Sequence, residues 1–504
     1  MSRGRVIIKG AAVLTFANLI SRIMGFVYRI FMSKAIGARG MGVLQLIMPV
    51  YMLVFSLCSS GLATTVSTCT AAGMAKDDKG GVRKILHTAL YFSVVLSIAA
   101  SAAVFFGAEP IGRVFLHEPD TVRALKILSF CFPFMSAGAC LRGYFCGIQK
   151  MGVPAAAQVA EQCVRIGVVY CLCGVMLSRG MGYACAMAVM GMASGEIVSF
   201  LLTYIFYFLR KKELLKYTSM TNRQAVDTVL SAAVPLTLNR GVSSCLAAFE
   251  NTLIPQRLML SGMTNEQALS VFGGLCGMAA PLIMFPCSLL TALATALMPA
   301  ISEYASKNDF KAVGALLRRA LLFTAVVGIF GCGIFIVFPS EIALAVYGRA
   351  DIAGLLRLLG VICPFLYTQV IMSAALNGVN CQFHIFKMGI LSSCITIFAI
   401  WFLMPRFGIH AYIAAWAASA VITNRLCALR LERVSDKFGI SPICAAKCAL
   451  CVAFVCTAGK CVVRRLPISG LFGLCVLIGA CAAVYLALLN ATDTAKISDL
   501  LKTK

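Results

Sequence analysis

Residues 84–108 read KILHTALYFSVVLSIAASAAVFFGA, and residues 314–338 read GALLRRALLFTAVVGIFGCGIFIVF. Each is an apolar run behind a basic start. At 1.5 Å per helical residue, each is long enough to cross the ~30 Å hydrocarbon core of a bilayer. The two runs also match at an offset of 231: Leu86, Ala89, Leu90, Phe92, Val95 and Ile98 answer to Leu317, Ala320, Leu321, Phe323, Val326 and Ile329. Outward from them, Leu62-Ala63-Thr64 matches Leu293-Ala294-Thr295, and Ile111 and Asp120 match Ile342 and Asp351. Pro133-Phe134 matches Pro364-Phe365, and Gly147 matches Gly378, all without a gap. Chance resemblance of two apolar helices accounts for shared Leu and Ala. It accounts less well for Pro-Phe, Gly and Asp in one register.

Similar runs fill the chain, which is 60% hydrophobic and 12% charged over 504 residues. Such runs are too long and too little alternating for barrel strands, so the expected fold is all-α and polytopic. We read about fourteen spans: 10–34, 41–72, 84–108, 121–148, 154–178 and 182–209, then 225–257, 267–302, 314–338, 352–379, 384–404 and 408–432, and a final pair near 441–459 and 467–490. The expected organisation is an N-terminal six-helix lobe (1–210), a polar linker from Arg210 to Arg223, a C-terminal six-helix lobe (224–433) and a C-terminal helix pair (440–490). Equivalent spans lie six apart, so both copies point the same way, as in a parallel repeat that rocks to give alternating access. The basic start, Met1 to Lys9, is followed by a stretch to Lys34 that carries Arg22 and Arg29. It reads as a first crossing rather than a cleaved leader.

Lys and Arg in short loops set the orientation. With the N-terminus in the cytoplasm, inner loops hold Lys76, Lys79, Arg83 and Lys84, then Arg210, Lys211, Lys212 and Lys216. They go on to Lys307, Lys311, Arg318 and Arg319, then Arg430, Arg433 and Lys437. Outer loops hold fewer, and one disagrees: Lys460, Arg464 and Arg465 fall outside between the last two spans. The largest outer loop, Gly107 to Asp120, has about fourteen residues. It offers no domain for an outer-face reaction, so a membrane enzyme is disfavoured. The net charge of +25 is read as contact with anionic headgroups and not with nucleic acid. The 24 Cys lie mostly within apolar runs and read as packing residues. Cys448 and Cys451 lack the second pair of a metal site, and the four His are far apart. Gly37-x-x-Gly40-x-Gly42 lacks the Lys of a phosphate loop and reads as a turn between spans.

Charges within spans single out candidate residues, because a mid-membrane charge costs ~2.5–3.5 kcal/mol on insertion scales. Asn18, Arg22, Gly25 and Arg29 share one face of the first span. Gln158, Glu161, Gln162 and Arg165 share one face of the fifth. Arg142 ends the fourth, and the seventh carries Arg240 and Glu250. Salt bridges such as Arg165–Glu161 are one reading, and snorkelling of Arg29 and Arg142 is another. As a group, five Arg meet only Glu161, Glu196 and Glu250 within spans. Surplus guanidinium calls for an external anion, and Arg suits phosphate. At the offset, Gln158, Glu161, Gln162 and Arg165 become Gly389, Ser392, Ser393 and Thr396, and Arg142 becomes Ser373. The first lobe is therefore expected to grip an anionic head. Glu250 is a candidate for Na⁺ or H⁺ coupling, or a partner of Arg240 or Arg257. Pro49, Pro133, Pro235, Pro281, Pro286 and Pro364 are expected to bend their spans.

Several motifs then carry a resemblance: Ser21-Arg22-Ile23-Met24-Gly25-Phe26 with Tyr28-Arg29, Pro49-Val50-Tyr51, Arg142-Gly143-Tyr144-Phe145 and Gln158 to Arg165. They continue with Asn239-Arg240, Leu253-Ile254-Pro255-Gln256-Arg257 and Pro299 to Glu303. In this order the chain resembles the polysaccharide-transport branch of the multidrug/oligosaccharidyl-lipid/polysaccharide exporter superfamily, most of all the stage V sporulation protein B group. The resemblance implies fourteen helices in two lobes. It implies flipping of undecaprenyl-pyrophosphate-linked sugars, including the peptidoglycan precursor lipid II, for cell wall or spore. The first-helix Ser-Arg-x-x-Gly-Phe motif carries its Arg onto Arg22. A further Arg that lipid II flippases hold after the second-span Pro is here Leu53. The expected function is thus a cell-membrane flippase for a lipid-linked anionic oligosaccharide, monomeric and without cofactor. Arg22, Arg165 and Arg240 would engage the pyrophosphate. The rival is a multidrug exporter of the same superfamily coupled to Na⁺ or H⁺, whose cavity should be acidic or aromatic.

Overall fold

The computed structural model describes residues 3–210, 220–435, 438–439, 441–465 and 470–492, with side chains from residue 13 onward. Residues 211–219 of the expected linker, with Lys211, Lys212 and Lys216, lie outside the described residues. So do Lys437 and the side chains of the basic start. Among the described residues there is no strand, as expected of a chain whose backbone must satisfy itself within hydrocarbon.

The chain divides into two compact units, Met1–Gln256 and Arg257–Lys504. The first holds α1 (Arg3–Phe55), α2 (Gly61–Ala75), α3 (Lys79–Phe106), α4 (Ala108–Pro110), α5 (Thr121–Ser129), α6 (Phe132–Gly147), α7 (Gly152–Met176), α8 (Met181–Arg210) and most of α9 (Asn222–Leu260). The second holds α10 (Asn265–Phe272), α11 (Ala280–Met284), α12 (Cys287–Ser306), α13 (Phe310–Val337), α14 (Pro339–Tyr347), α15 (Ala353–Gly360), α16 (Cys363–Gly378), α17 (Gln382–Phe398), α18 (Met404–Phe407), α19 (Ile409–Leu431), α20 (Pro442–Arg465) and α21 (Gly470–Ala491).

Among the described residues, eleven helices are long and apolar enough to cross a membrane, and thirteen if each bent pair is one span. The merged helix Val13–Ala75 is one of the eleven, yet it breaks at Gly37 (φ 68°, ψ −176°), a conformation open to glycine and costly for other residues. The expected turn at Gly37–Gly42 is thus a one-residue break between two helical crossings. The 39-residue α9 is long enough at about 58 Å, but Arg223, Asp227, Arg240, Glu250 and Arg257 make it more polar than the rest. The protein is a polytopic helical membrane protein.

The repeat recurs in structural detail. α3 and α13 are each 28 residues, and α6 and α16 each 16, starting 231 positions apart. Asp78 caps α3 by accepting from the Gly81 N–H at 2.8 Å, and Asp309 caps α13 by accepting from Ala312 at 3.0 Å. Each cap follows a left-handed Asp77 (φ 53°) or Asn308 (φ 56°), residue types that tolerate that region. α5 meets α6 at 49° and α15 meets α16 at 52°, with Pro133 or Pro364 in the first turn after each bend. Asp120 and Asp351 differ: the first faces Arg39 at 3.9 Å, the second Arg349 at 2.7 Å. Of the other prolines, Pro49 and Pro235 lie inside helices, whereas Pro281 opens α11 and Pro286 caps α12.

The same positions are buried in both units. Val66, Val82, Leu86, Ala89, Cys140, Leu141 and Phe145 form one core; 231 later, Leu297, Val313, Leu317, Ala320, Ile371, Met372 and Leu376 form the other. Helices in lipid associate by close packing, and the matched glycines make that possible. A Cβ on Gly147 would come 2.6 Å from Thr70 Cβ and 2.7 Å from the Ser67 carbonyl oxygen. One on Gly378 would come 2.8 Å from Ile301 Cγ2 and 3.0 Å from the Met298 carbonyl oxygen. Thr70 and Ile301, and Ser67 and Met298, are again 231 apart.

In the second unit Lys460 pairs with Glu341 and lies over the Phe338 ring. The basic end of α20 therefore sits beside the α13–α14 junction, the far end of α13 from its Asp309 cap. An acid at that end partly neutralises the loop whose charge ran against the orientation pattern.

Candidate functional site

The polar interior of the first unit is assembled by α1, α6, α7 and α8. α8 presents Gly191 and Gly195 to α7. A Cβ on Gly191 would meet the Arg165 carbonyl oxygen at 2.9 Å, and one on Gly195 the Glu161 carbonyl oxygen at 2.8 Å. That approach traps the polar face of α7 between helices. There Arg165 Nη2 donates to Glu161 Oε1 at 2.6 Å, with the side chains 18% and 14% exposed. Arg142 Nη1 donates to Ser199 Oγ at 3.0 Å. Tyr51 donates to Glu196 Oε1 at 2.6 Å, across 145 residues of chain. Glu161 also lies within electrostatic reach of Glu196 and Arg142, and Tyr28 within reach of Arg165 and Arg29.

Several atoms here are buried without a hydrogen-bond partner: Tyr28 Oη, Ser21 Oγ, Gln162 Oε1, Arg165 Nε and Glu196 Oε2. Buried polar groups are normally paired, so this cluster has capacity for a further polar ligand, water or ion. Its charge is nearly balanced, with Arg142 and Arg165 against Glu161 and Glu196.

The other candidate cations of the first unit lie on α1 and α9. Arg22 and Asn18 are exposed on α1, and Arg22 has no ion-pair partner among the described residues. Arg29 is half-buried near Tyr28. Arg240 on α9 is exposed and donates through Nη1 to the Ser60 carbonyl oxygen at 2.9 Å. Ser60 ends a π-helical turn, Ser56–Ser60, and its carbonyl also accepts from the Thr64 hydroxyl at 2.9 Å. Such turns leave backbone acceptors for outside donors. Gln158 is half-buried on α7. Glu250 is half-buried on α9, ten residues beyond Arg240. Arg257 does not lean on an acid but lies 3.5 Å from the Trp401 ring centroid, a cation–π contact.

The structure thus gathers Arg142, Glu161, Gln162 and Arg165, and it leaves Asn18, Arg22, Arg240 and Glu250 on other faces. It adds Tyr28, Tyr51, Glu196 and Ser199, which spacing alone did not place. A signal existed for two: Glu196 is an acid inside an apolar run, and Tyr51 follows Pro49. At the equivalent place the second unit is uncharged. Ser392 Oγ donates to Ser419 Oγ at 3.2 Å, and Asn424 Nδ2 to the Phe365 carbonyl oxygen at 2.8 Å. A recess of about 570 Å³ there is lined by Thr291, Thr295, Gln369, Ser373 and Asn377 among Met and Leu side chains. Ser373 is the counterpart of Arg142. No group of three or more metal-ligating side chains occurs among the described residues.

Residues 7–305 match the family described as polysaccharide biosynthesis protein. Stage V sporulation protein B of Bacillus subtilis (strain 168) is 27% identical over 435 residues, covering 85% of this chain and 84% of that one. Lipid II flippase MurJ of the same organism is 26% identical over 356 residues, 64% of each chain. Among solved structures, one described as lipid II flippase MurJ in an inward closed conformation superposes with TM-score 0.71. It is 15% identical and covers 97% of this chain and 100% of that one.

Proposed function

Because the chain belongs to the polysaccharide biosynthesis protein family, we propose that it is a flippase for an undecaprenyl-pyrophosphate-linked oligosaccharide, lipid II or a related wall precursor. It moves the head group from the inner to the outer leaflet by alternating access, with its N-terminus in the cytoplasm. The observation that carries this reading is the asymmetry of charge. Arg22, exposed on α1, has no acid partner among the described residues, and at the offset of 231 Arg142 and Arg165 of the first unit are replaced by the hydroxyls of Ser373 and Thr396.

In this reading Arg22, Arg29 and Arg240 meet the pyrophosphate, where charge-assisted hydrogen bonds of about 1.5–3 kcal/mol each apply. Arg142 and Arg165, held by Ser199 and Glu161, fix the shape of the polar wall, and the unpartnered Arg165 Nε is a further donor. The hydroxyl- and amide-lined recess of the second unit suits sugar. No bond is made or broken; the work is binding and reorientation. Coupling to Na⁺ or H⁺ would run through Glu250.

The name of one Bacillus subtilis relative, lipid II flippase MurJ, agrees with this reading. The rival, a multidrug exporter for organic cations, is disfavoured because surplus guanidinium repels a cationic cargo. The test is transport by the purified chain in proteoliposomes. Flipping of a pyrophosphate-linked sugar without uptake of an organic-cation dye supports the flippase. Dye uptake without flipping overturns it.

A further inference from the structure

We propose that the second unit carries a separate site for the headgroup of an anionic phospholipid, at the turn between α16 and α17 where α19 ends. A recess of about 500 Å³ there is lined by Asn380, Phe383, His384, Lys387, Arg430 and Arg433, with Cys381, Leu426 and Leu429. No acid is among these lining residues. Three permanent cations around one recess repel one another and gain most from an anion between them. The nearest acid in sequence, Glu432, faces Arg425 at 3.6 Å, outside the lining.

Two more features point to a ligand. The first residues of α17 border the recess, so the positive dipole end of a 17-residue helix lies at its edge, where the His384 and Ile385 amides bond to the Cys381 carbonyl. The His384 Nε2 atom is buried without a hydrogen-bond partner. Lys387 Nζ, 4.7 Å from the Phe383 ring centroid, is placed by that ring rather than by a carboxylate.

The site's place in the chain fits a leaflet. α13 runs away from its Asp309 cap, and α15–α16 return, so the 378–382 turn lies at the Lys307–Asp309 end. Arg430 and Arg433 share that end, which the Lys and Arg bias assigns to the inner leaflet. Basic pockets between spans on that side bind lipid headgroups. The apolar wall of Phe383, Leu426 and Leu429 suits an amphiphile better than free phosphate. The site is not part of the repeat: 231 positions earlier, Phe383, His384 and Lys387 are Gly152, Val153 and Ala156.

The test is native mass spectrometry of the full chain in detergent, with dioleoylphosphatidylglycerol, dioleoylphosphatidylcholine or inorganic phosphate. Wild type should retain phosphatidylglycerol over phosphatidylcholine. At ~1 kcal/mol per cation, Lys387→Gln, Arg430→Gln and Arg433→Gln should each weaken retention about fivefold, and the triple variant on the order of a hundredfold. Arg425→Gln should leave it unchanged, and Lys387→Arg should preserve it. Unchanged retention in the single and triple variants overturns the proposal. Equal loss in Arg425→Gln does so too, as a general surface effect. Full displacement by millimolar inorganic phosphate overturns the lipid source.

Discussion

Arg165→Gln should be among the most damaging single changes in the first unit, and more damaging than Glu161→Gln. The two groups are 2.6 Å apart and more than four-fifths buried. Unit charges about 4 Å apart at an effective dielectric of ~20 attract by ~4 kcal/mol. Removing one partner of a buried pair costs about 3–5 kcal/mol, chiefly by stranding the other charge. Partial exposure puts this pair near the lower end, at about 3 kcal/mol for Glu161→Gln. The neighbours break the symmetry, because Glu161 also feels Glu196 and Arg142. Arg165→Gln leaves two carboxylates to Arg142 alone, so about 1 kcal/mol more is expected. The double variant strands fewer charges and should cost about 2 kcal/mol less than the sum of the singles. All 24 cysteines are free, and Cys131 and Cys140 are buried in this unit. Equilibrium unfolding in dodecyl sulfate, followed by maleimide labelling of those thiols, reads out the right half of the molecule. Additive singles, or singles below about 1 kcal/mol, would refute the reasoning.

Gly147→Ala and Gly378→Ala should each destabilise by about 1–3 kcal/mol through overpacking, whereas Gly389→Ala, with open space around it, should be neutral; thermal melting of the three variants checks this. In otherwise cysteine-free chains, an impermeant maleimide added to intact cells should label Cys461 at one end of α20 and spare Cys444 at the other; the reverse pattern would invert the orientation. Arg349 beside Asp351 holds that carboxyl below its ordinary range through hydrogen bonds of 3.0 and 2.7 Å. A depressed folded value means the contribution is present above the ordinary carboxylate range and fades as pH falls below about 4. Asp351→Asn should therefore flatten the melting curve between pH 3 and 5, by under ~1 kcal/mol for so exposed a pair.

Much of this fold lies open in the amino-acid order, because a bilayer constrains sequence strongly. Apolar length gave the crossings, and the offset of 231 anticipated matched cores. Even Gly147 and Gly378 had a structural reason, since each allows a neighbouring helix to approach. Other features were hidden for physical reasons. The turn at Gly37–Gly42 was legible, but its contraction to a single non-helical residue inside a merged helix was not. Tyr51 and Glu196 meet across 145 residues, and only packing of α1 against α8 brings them together. The ionic face of α7 was legible from i, i+3, i+4 spacing. That Arg165 takes Glu161 while Arg22 takes no acid depends on which faces the neighbouring helices cover.

The central claim is that unpaired guanidinium in the first unit receives a phosphate-bearing lipid head. Its most direct test is the initial flipping rate of a pyrophosphate-linked sugar in proteoliposomes carrying wild type or Arg22→Ala at equal folded amounts. Loss of one charge-assisted contact of about 1.5–3 kcal/mol predicts a rate lower by roughly ten- to a hundredfold at subsaturating cargo, with melting unchanged. An Arg22→Ala chain that flips at the wild-type rate would contradict the account.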